Sequence, residues 1–399
     1  VEDDVDTQAN EREMRTCRTK WTQYGQADTN HAKRSVDERD DICSNGRMVD
    51  FKAVLLEKKP VVWEVIEKNL PADEGNPYCA DIARRFQAEN KRHWEMVLDY
   101  PRRMGKYVRP TLLLLACEAM GTPQAKALTT AAAMQLSEDW LLVHDDIEDD
   151  SPDRRGKPAL HRIHGRELAI NAGDTLHLLM WRMLSRNYAS LGSGLAERIS
   201  EEFYRMLLRT HLGQSVELMW RGTGEPLDEE QTEFLMAGKS AYYSIAGPLR
   251  LGAMIGGAME DELRVLMEFG RNLGMAYQIQ DDILDLTSDF DGMKKQIGND
   301  IYEGKSTIPV SRLLRVLPDA QRERAARIIS KRREEKSPDE VAWVIGRMKE
   351  SGAIEYAHAR KRELEKRARE IFKSIGFFAD KAAAEKLEAG IAFLVERTH

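Results

Sequence analysis

The chain has 399 residues, 42% of them hydrophobic and 32% charged, and its 60 Lys+Arg against 67 Asp+Glu give a formal charge of −7. With 27 Gly and 13 Pro, this excludes a collagen-like, purely coiled-coil or wholly disordered chain and supplies apolar residues for a large core. The mild acidity offers no net attraction for nucleic acid, although a local basic patch can still hold a diphosphate.

Residues 1–50 contain five Val or Ile and no Leu or Phe, against twelve acidic and eight basic side chains. Such a segment buries too little apolar surface to order itself. It reads as a disordered tail, or as a non-native extension ahead of Met48. From Phe51 to the end of the chain apolar residues recur at helical spacing, as in Val61, Val62, Val65, Ile66 and Leu70. No Gly/Ser/Pro-rich linker divides 51–399, so one domain is expected there. The periodicity predicts helices over 51–69, 78–98, 109–120, 124–149, 166–187, 195–220, 228–242, 245–257, 261–288, 308–316, 319–333 and 338–350, with 353–396 helical in pieces. Strand-like alternation is nearly absent, and the fold class is all-α, a single large many-helix bundle.

The longest apolar run, Leu112 to Cys117, is far short of the roughly 18 residues a membrane helix needs, so no span is expected. The N-terminus lacks the order of a signal peptide, and Cys17, Cys43, Cys79 and Cys117 stand too far apart for metal-ligand pairs. A cytoplasmic protein is expected.

The most informative stretch is LLVHDDIEDDSPDRRG at 141–156, where an apolar helix suddenly carries six acidic side chains between Asp145 and Asp153. YQIQDDILD at 277–285 repeats the idea. At about 100° per residue Asp145 and Asp149 share a helix face with Asp146 beside them, and Asp281, Asp285 and Asp282 do the same. Gathered carboxylates are costly to bury unless a cation neutralises them, and hard oxygen ligands of this kind suit Mg²⁺ bound together with substrate phosphates. A lone cluster of this type is usually a solvated helix face. Here there are two, and both are followed by basic residues, Arg154 and Arg155 after the first and Lys305 after the second, as a Mg²⁺-diphosphate requires. Lys106 and Arg109 flank a turn in RRMGKYVRP that could cradle a second anion, and Lys239-Ser240 adds a further basic position. No GxxxxGK[ST] and no strand-linked GxGxxG is present, which argues against a P-loop kinase or ATPase. His144, His161 and His164 lack an HExxH pattern or a matching Cys set, so zinc is not expected.

With these residues in view, 51–399 resembles the trans-type isoprenyl diphosphate synthases, or polyprenyl synthetases. GKYVRP at 105–110 is similar to that family's GKRxRP element, and HDDIEDDSPDRRGKPALH at 144–161 to its first aspartate-rich motif. Gly213-Gln214 resembles its GQ pair, Lys239-Ser240 its KT pair, YQIQDDILD its second aspartate motif, and GNDIYEGKST its closing lysine segment. The resemblance implies a helical bundle around a deep central cavity, usually a homodimer. It implies three Mg²⁺ held by Asp145, Asp149, Asp281 and Asp285, with Asp146 and Asp282 nearby. These would bind the diphosphate of an allylic substrate (dimethylallyl, geranyl or farnesyl diphosphate), and Arg154, Lys239 and Lys305 would complete the clamp. Isopentenyl diphosphate would be held by Lys106, Arg109 and Arg155, with Gln278 as a group near the carbocation and Gln214 and Ser240 contacting substrate.

One position departs from the pattern. Where the family commonly has a His that donates to isopentenyl diphosphate, seven residues before the first Asp, this chain has Glu138, which cannot donate unless protonated and is expected to orient or pair with a base. Five and four residues before Asp145 stand Trp140 and Leu141. A bulky aromatic at that site in the family forms part of the cavity floor, so a short product is expected, geranylgeranyl or farnesyl diphosphate. The alternatives are a terpene cyclase and a non-catalytic partner subunit of a prenyltransferase.

Overall fold

The computed structural model describes residues 49–70, 80–221, 227–287 and 297–396. Residues 1–48 lie outside the described residues, and so do Cys17, Cys43 and Cys79. The last two residues of the expected tail belong to the folded unit: Val49 packs on the core, and the Asp50 side chain accepts from the Lys52 amide at 2.9 Å, capping the helix Phe51–Asn69. That cap satisfies one of the donors that a helix start leaves open.

Helices dominate the described residues. The helix Leu128–Glu148, which carries the first aspartates, packs along Arg166–Ser185, and Glu260–Thr287, which carries the second, packs along Ala353–Ser374. Apolar side chains along Leu128–Glu148 bury Ala131, Ala132, Met134, Leu136 and Val143 in one core that also holds Leu176 and Met180. A second core gathers Leu266, Phe269, Leu273, Ile279 and Ile283 with Leu364 and Phe372. The two aspartate clusters therefore sit on scaffolds that each bury a full apolar face, and at roughly 25 cal/mol per Å² such burial dominates the free energy of the fold.

Several expected spans change, among them 78–98, which divides into Ala80–Arg85 and Gln87–Val97. The helix expected over 124–149 opens with a separate 3-10 turn, Gln124–Lys126, before Leu128, because residues 124–126 bury nothing. The span expected as two helices broken near residue 243 is continuous: Glu229–Met236 runs into a π-helical segment, Ala237–Ala246, and on into Gly247–Ile255. Wider π turns of this sort cluster at functional sites, and this one carries Lys239, Ser240, Tyr243 and Ser244. The second aspartate helix lies directly on it because Gly270 and Gly274 have no Cβ. An added Cβ would stand 2.4 Å from Ala246 Cα at the first and 2.6 Å from Ala241 Cα at the second. Finally, a two-stranded ribbon pairs Asp153–Arg154 with Lys157–Pro158, turning through Arg155 and Gly156 at φ 52° and 76°. Positive φ at both turn residues is the hairpin geometry whose twist matches the flanking strands.

Candidate active site

The ends of the two aspartate helices and the π segment line one cavity of about 350 Å³. Asp145, Asp281, Asp282, Lys239, Lys305 and Gln278 face it, as do Gln214, Ser240, Arg109, Glu138 and Leu141. Its apolar wall includes Leu142, Leu235 and Met236. Arg154, Arg155 and Lys106 do not line it, and Lys106 is exposed.

Within the first cluster the three aspartates have separate surroundings. Asp146 is fully buried and points away from the cavity. It accepts from Tyr100 Oη at 2.5 Å and from Arg154 Nε at 2.9 and 3.0 Å, with Arg154 Nη2 closer still. Asp149 is 6% exposed and pairs with Arg221 Nη2 at 2.6 Å and Lys305 Nζ at 2.9 Å. Burial alone would raise its pKa, but Lys305 and Arg221 bring it down to about 2. Asp145 keeps only the outer edge of Arg154, at 3.7 Å. Burial and the neighbouring Asp149 push its carboxyl up to about 6.

In the second cluster Asp282 accepts from Gln278 Nε2 at 3.0 Å, and burial with the adjacent Asp281 pushes it up to about 7. Asp285 is turned to the chain itself, accepting the amides of Asn299 at 3.1 Å and Asp300 at 2.9 Å. That contact docks the lysine segment against the second aspartate helix. Lys305 then reaches across to Asp149 of the first cluster while also pairing with Glu303 at 2.5 Å and Asp300 at 3.9 Å. Its pKa is held well above the ordinary value: burial lowers it, and the surrounding carboxylates more than reverse that. Lys239 pairs with Glu217 Oε2 at 2.7 Å, and Gln214 Nε2 donates to Glu148.

Arg109 and Arg155 meet at Glu138. Arg109 Nη2 donates to Ser244 Oγ at 2.8 Å, and its guanidinium lies 4.7 Å over the Tyr243 ring. Arg155 Nη1 donates to the Tyr100 carbonyl at 2.7 Å and pairs with Asp139 at 2.8 Å. Burial pushes Asp139 up to about 6 in spite of Arg155. Glu138, the departing position, lies between Arg109 at 3.3 Å and Arg155 at 3.7 Å. Among the described residues, the non-glycine positions with positive φ are Met104, Tyr107, Asp150 and Arg155. All four sit in the two loops that frame these arginines, at a cost of about 1–3 kcal/mol each. Strain kept at these places is a mark of a built site.

Trp140 does not line the cavity; it is 6% exposed and stacked between His177 at 4.1 Å and His211 at 5.2 Å. Sequence reasoning missed these two histidines, and it also missed Tyr100, Glu217, Arg221 and Tyr243. Asp300 and Glu303 lay inside the quoted lysine segment without being singled out. Arg221 follows the last helical residue, Trp220, with no motif to announce it. Among the described residues no three His, Cys, Asp or Glu side chains converge as a closed metal-ligand group.

Residues 91–348 match the family model described as polyprenyl synthetase. A short chain isoprenyl diphosphate synthase from Methanothermobacter thermautotrophicus is 35% identical over 301 residues, covering 74% of this chain and 87% of that protein. A geranylfarnesyl diphosphate synthase from Aeropyrum pernix is 30% identical over 298 residues, covering 73% and 90%. Among solved structures, a geranylgeranyl pyrophosphate synthetase from Pyrococcus horikoshii superposes with a TM-score of 0.73 at 28% identity, covering 87% of this chain and 98% of that one. Two aspartate helices facing one cavity, the lysines closing it, and these likenesses agree: the chain belongs to the polyprenyl synthetase family.

Proposed function

We propose that the protein is a trans-prenyltransferase that joins isopentenyl diphosphate to dimethylallyl, geranyl or farnesyl diphosphate and releases a short all-trans prenyl diphosphate, chiefly geranylgeranyl diphosphate. The observation that carries this reading is the cavity on which Asp145, Asp281 and Asp282 meet Lys239 and Lys305. A terpene cyclase would leave the arginine group around Glu138 without a second diphosphate to hold.

The donor set fits Mg²⁺. The cavity lining carries more carboxyl groups than cations, Glu138, Asp145, Glu148, Glu217, Asp281, Asp282 and Asp300 against Arg109, Lys239 and Lys305, and a bound cation would offset the excess. Asp149 and Asp285 are partnered, yet an ionised carboxylate has about four acceptor positions and each retains some. A site with no closed ligand group suits an ion that takes one or two carboxylates and completes its shell with substrate phosphates and water. Asp145, Asp149, Asp281 and Asp285 would hold three ions. When bound, Mg²⁺ neutralises charge developing on the departing diphosphate.

Each of the chain's own groups then has a task. Lys239, Lys305 and Arg154 bind and orient the allylic diphosphate, with Asp146 fixing Arg154 from behind. Lys106, Arg109 and Arg155 bind the diphosphate of isopentenyl diphosphate. The allylic carbon–oxygen bond breaks with its electron pair leaving on diphosphate. The isopentenyl double bond attacks the cation, and the proton lost from the new chain passes to the released diphosphate. Leu141, Leu142, Leu235 and Met236 exclude water that would otherwise quench the cation. Gln278 is fixed by Asp282 and Gln214 by Glu148, and Ser240 completes the substrate contacts.

Trp140 and Leu141 close the floor and keep the product short. Tyr204, Leu208, Leu212, Val216 and Met219 are 37–74% exposed and recur every three or four residues along Ser193–Trp220. A single apolar stripe of this kind supports a homodimer. No helix among the described residues is long and apolar enough to cross a membrane, and the proposal places the enzyme in the cytoplasm. Product analysis tests the reading: purified protein with Mg²⁺, isopentenyl diphosphate and each primer in turn should give a ladder ending at one short prenyl diphosphate. Loss of Mg²⁺ to a chelator should stop it, and absence of elongation with every primer would overturn the reading.

A further inference from the structure

Glu138 faces two guanidinium groups with two different oxygens. Oε2 lies 3.3 Å from Arg109 Nη1, and Oε1 lies 3.7 Å from Arg155 Nη2. The arginines come from separate elements: Arg109 from the first turn of Val108–Ala119, and Arg155 from the turn of the short ribbon, where its φ of 52° needs support. Each also has an anchor of its own. Arg109 is tied to Ser244 and Tyr243, and Arg155 to Tyr100 and Asp139. Asp139 already balances the charge of Arg155, whereas Arg109 pairs with Glu138, so neutralisation explains the contact to Arg109 and not the second one to Arg155. What Glu138 alone supplies is a link between the two cations, which would otherwise repel each other in a poorly solvated place. The link is made at ion-pair distance without aligned hydrogen bonds. Arg109 Nε and Arg155 Nη2 are buried donors with no hydrogen-bond partner, and buried donors of this kind are normally satisfied. An anion would satisfy them.

We propose that Glu138 is a positioning residue, one carboxylate shared by Arg109 and Arg155 that fixes their spacing so that both engage a single diphosphate. The inference rests on the proposed assignment of this arginine pair to isopentenyl diphosphate. It has a direct competitor, because a carboxylate at the cavity wall also repels an incoming diphosphate. The two effects have opposite signs, and Glu138→Gln separates them by removing the charge at nearly constant volume. Positioning predicts weaker binding, and repulsion predicts tighter binding.

The test is calorimetric titration of the full-length protein with isopentenyl diphosphate, for the wild type, Glu138→Gln and Glu138→Asp, together with steady-state kinetics on both substrates. Coupling between neighbouring charges of this kind corresponds to about tenfold in affinity. Glu138→Gln should therefore weaken isopentenyl diphosphate about tenfold and raise its KM by a similar factor, with the KM of the allylic substrate unchanged. Glu138→Asp should recover part of the loss. Unchanged or tighter binding by Glu138→Gln, an equal rise in both KM values, or no binding by the wild type would overturn the inference. A wild type whose binding depends on Glu138 but which elongates no primer would overturn the proposed function and leave the positioning role standing. Normal elongation with binding insensitive to Glu138 would do the reverse.

Discussion

Adjacent aspartates in the first motif should fail in different ways. Asp146 has no exposed surface and accepts from Tyr100 and from two nitrogens of Arg154, whereas Asp145 faces the cavity and meets only the edge of Arg154 at 3.7 Å. Asp146→Ala strands a half-buried guanidinium and a buried phenol. Removing one partner of a fully buried ion pair costs about 3–5 kcal/mol, and with Arg154 partly exposed the loss here should lie at the lower end of that range, still a large fraction of the roughly 5–15 kcal/mol that holds a typical fold. Asp146→Asn keeps the volume and one acceptor and should cost about half of that. Asp145→Ala removes a carboxylate that burial and Asp149 already push up to about 6, so its stability should stay within about 1 kcal/mol of the wild type or rise slightly. The assay is urea unfolding followed by circular dichroism at fixed protein concentration, paired with turnover under saturating Mg²⁺. Asp145→Ala should lose most activity with an unchanged midpoint, and Asp146→Ala should lose activity together with a large drop in midpoint. Equal midpoints for the two alanine variants would refute the assignment of Asp146 to the scaffold, and full turnover by Asp145→Ala would refute its place at the metal.

Further expectations follow from the same geometry. Trp140→Ala removes the ring stacked between His177 and His211, and under the proposed floor role it should lengthen the product while costing about 3–5 kcal/mol of stability; chromatography showing the same product would refute that role. Gly274→Val places side-chain atoms where even a Cβ would stand 2.6 Å from Ala241 Cα, so the second aspartate helix must move off the π segment, with a cost of at least about 1–3 kcal/mol and a fall in kcat. Wild-type kcat in that variant would show that this close approach is dispensable. Lys336 is 6% exposed and donates to the carbonyls of Ile301 and Tyr302, and burial, with Arg221 and Arg333 nearby, lowers its pKa to about 8. Between pH 8 and 10.5 the unfolded chain binds more protons at this residue than the folded one, so its contribution to stability rises with pH, by up to about 3 kcal/mol. The melting-temperature difference between wild type and Lys336→Met should therefore shift in favour of the wild type over that window, and a flat difference would refute the burial argument.

The helical class, most helix positions and the acidic and basic residues that line or flank the cavity were legible in the chain alone. Helical periodicity is a local property, and paired acidic clusters followed by basic residues are legible without coordinates. Phe51–Asn69 and Ile308–Val316 match their expected bounds, because apolar spacing and end signals coincide there. The π segment was not legible, since apolar spacing along its own residues does not distinguish a π turn from an α turn. Nor could sequence divide the labour among equivalent-looking aspartates. Asp145, Asp146 and Asp149 differ only in what lies across from them: a cavity, Tyr100 with Arg154, and Lys305 with Arg221. Those partners come from distant parts of the chain, and so do Arg109 and Arg155 on either side of Glu138. Electrostatic role depends on distance and burial in space, and only the tertiary structure sets these for residues far apart along the chain.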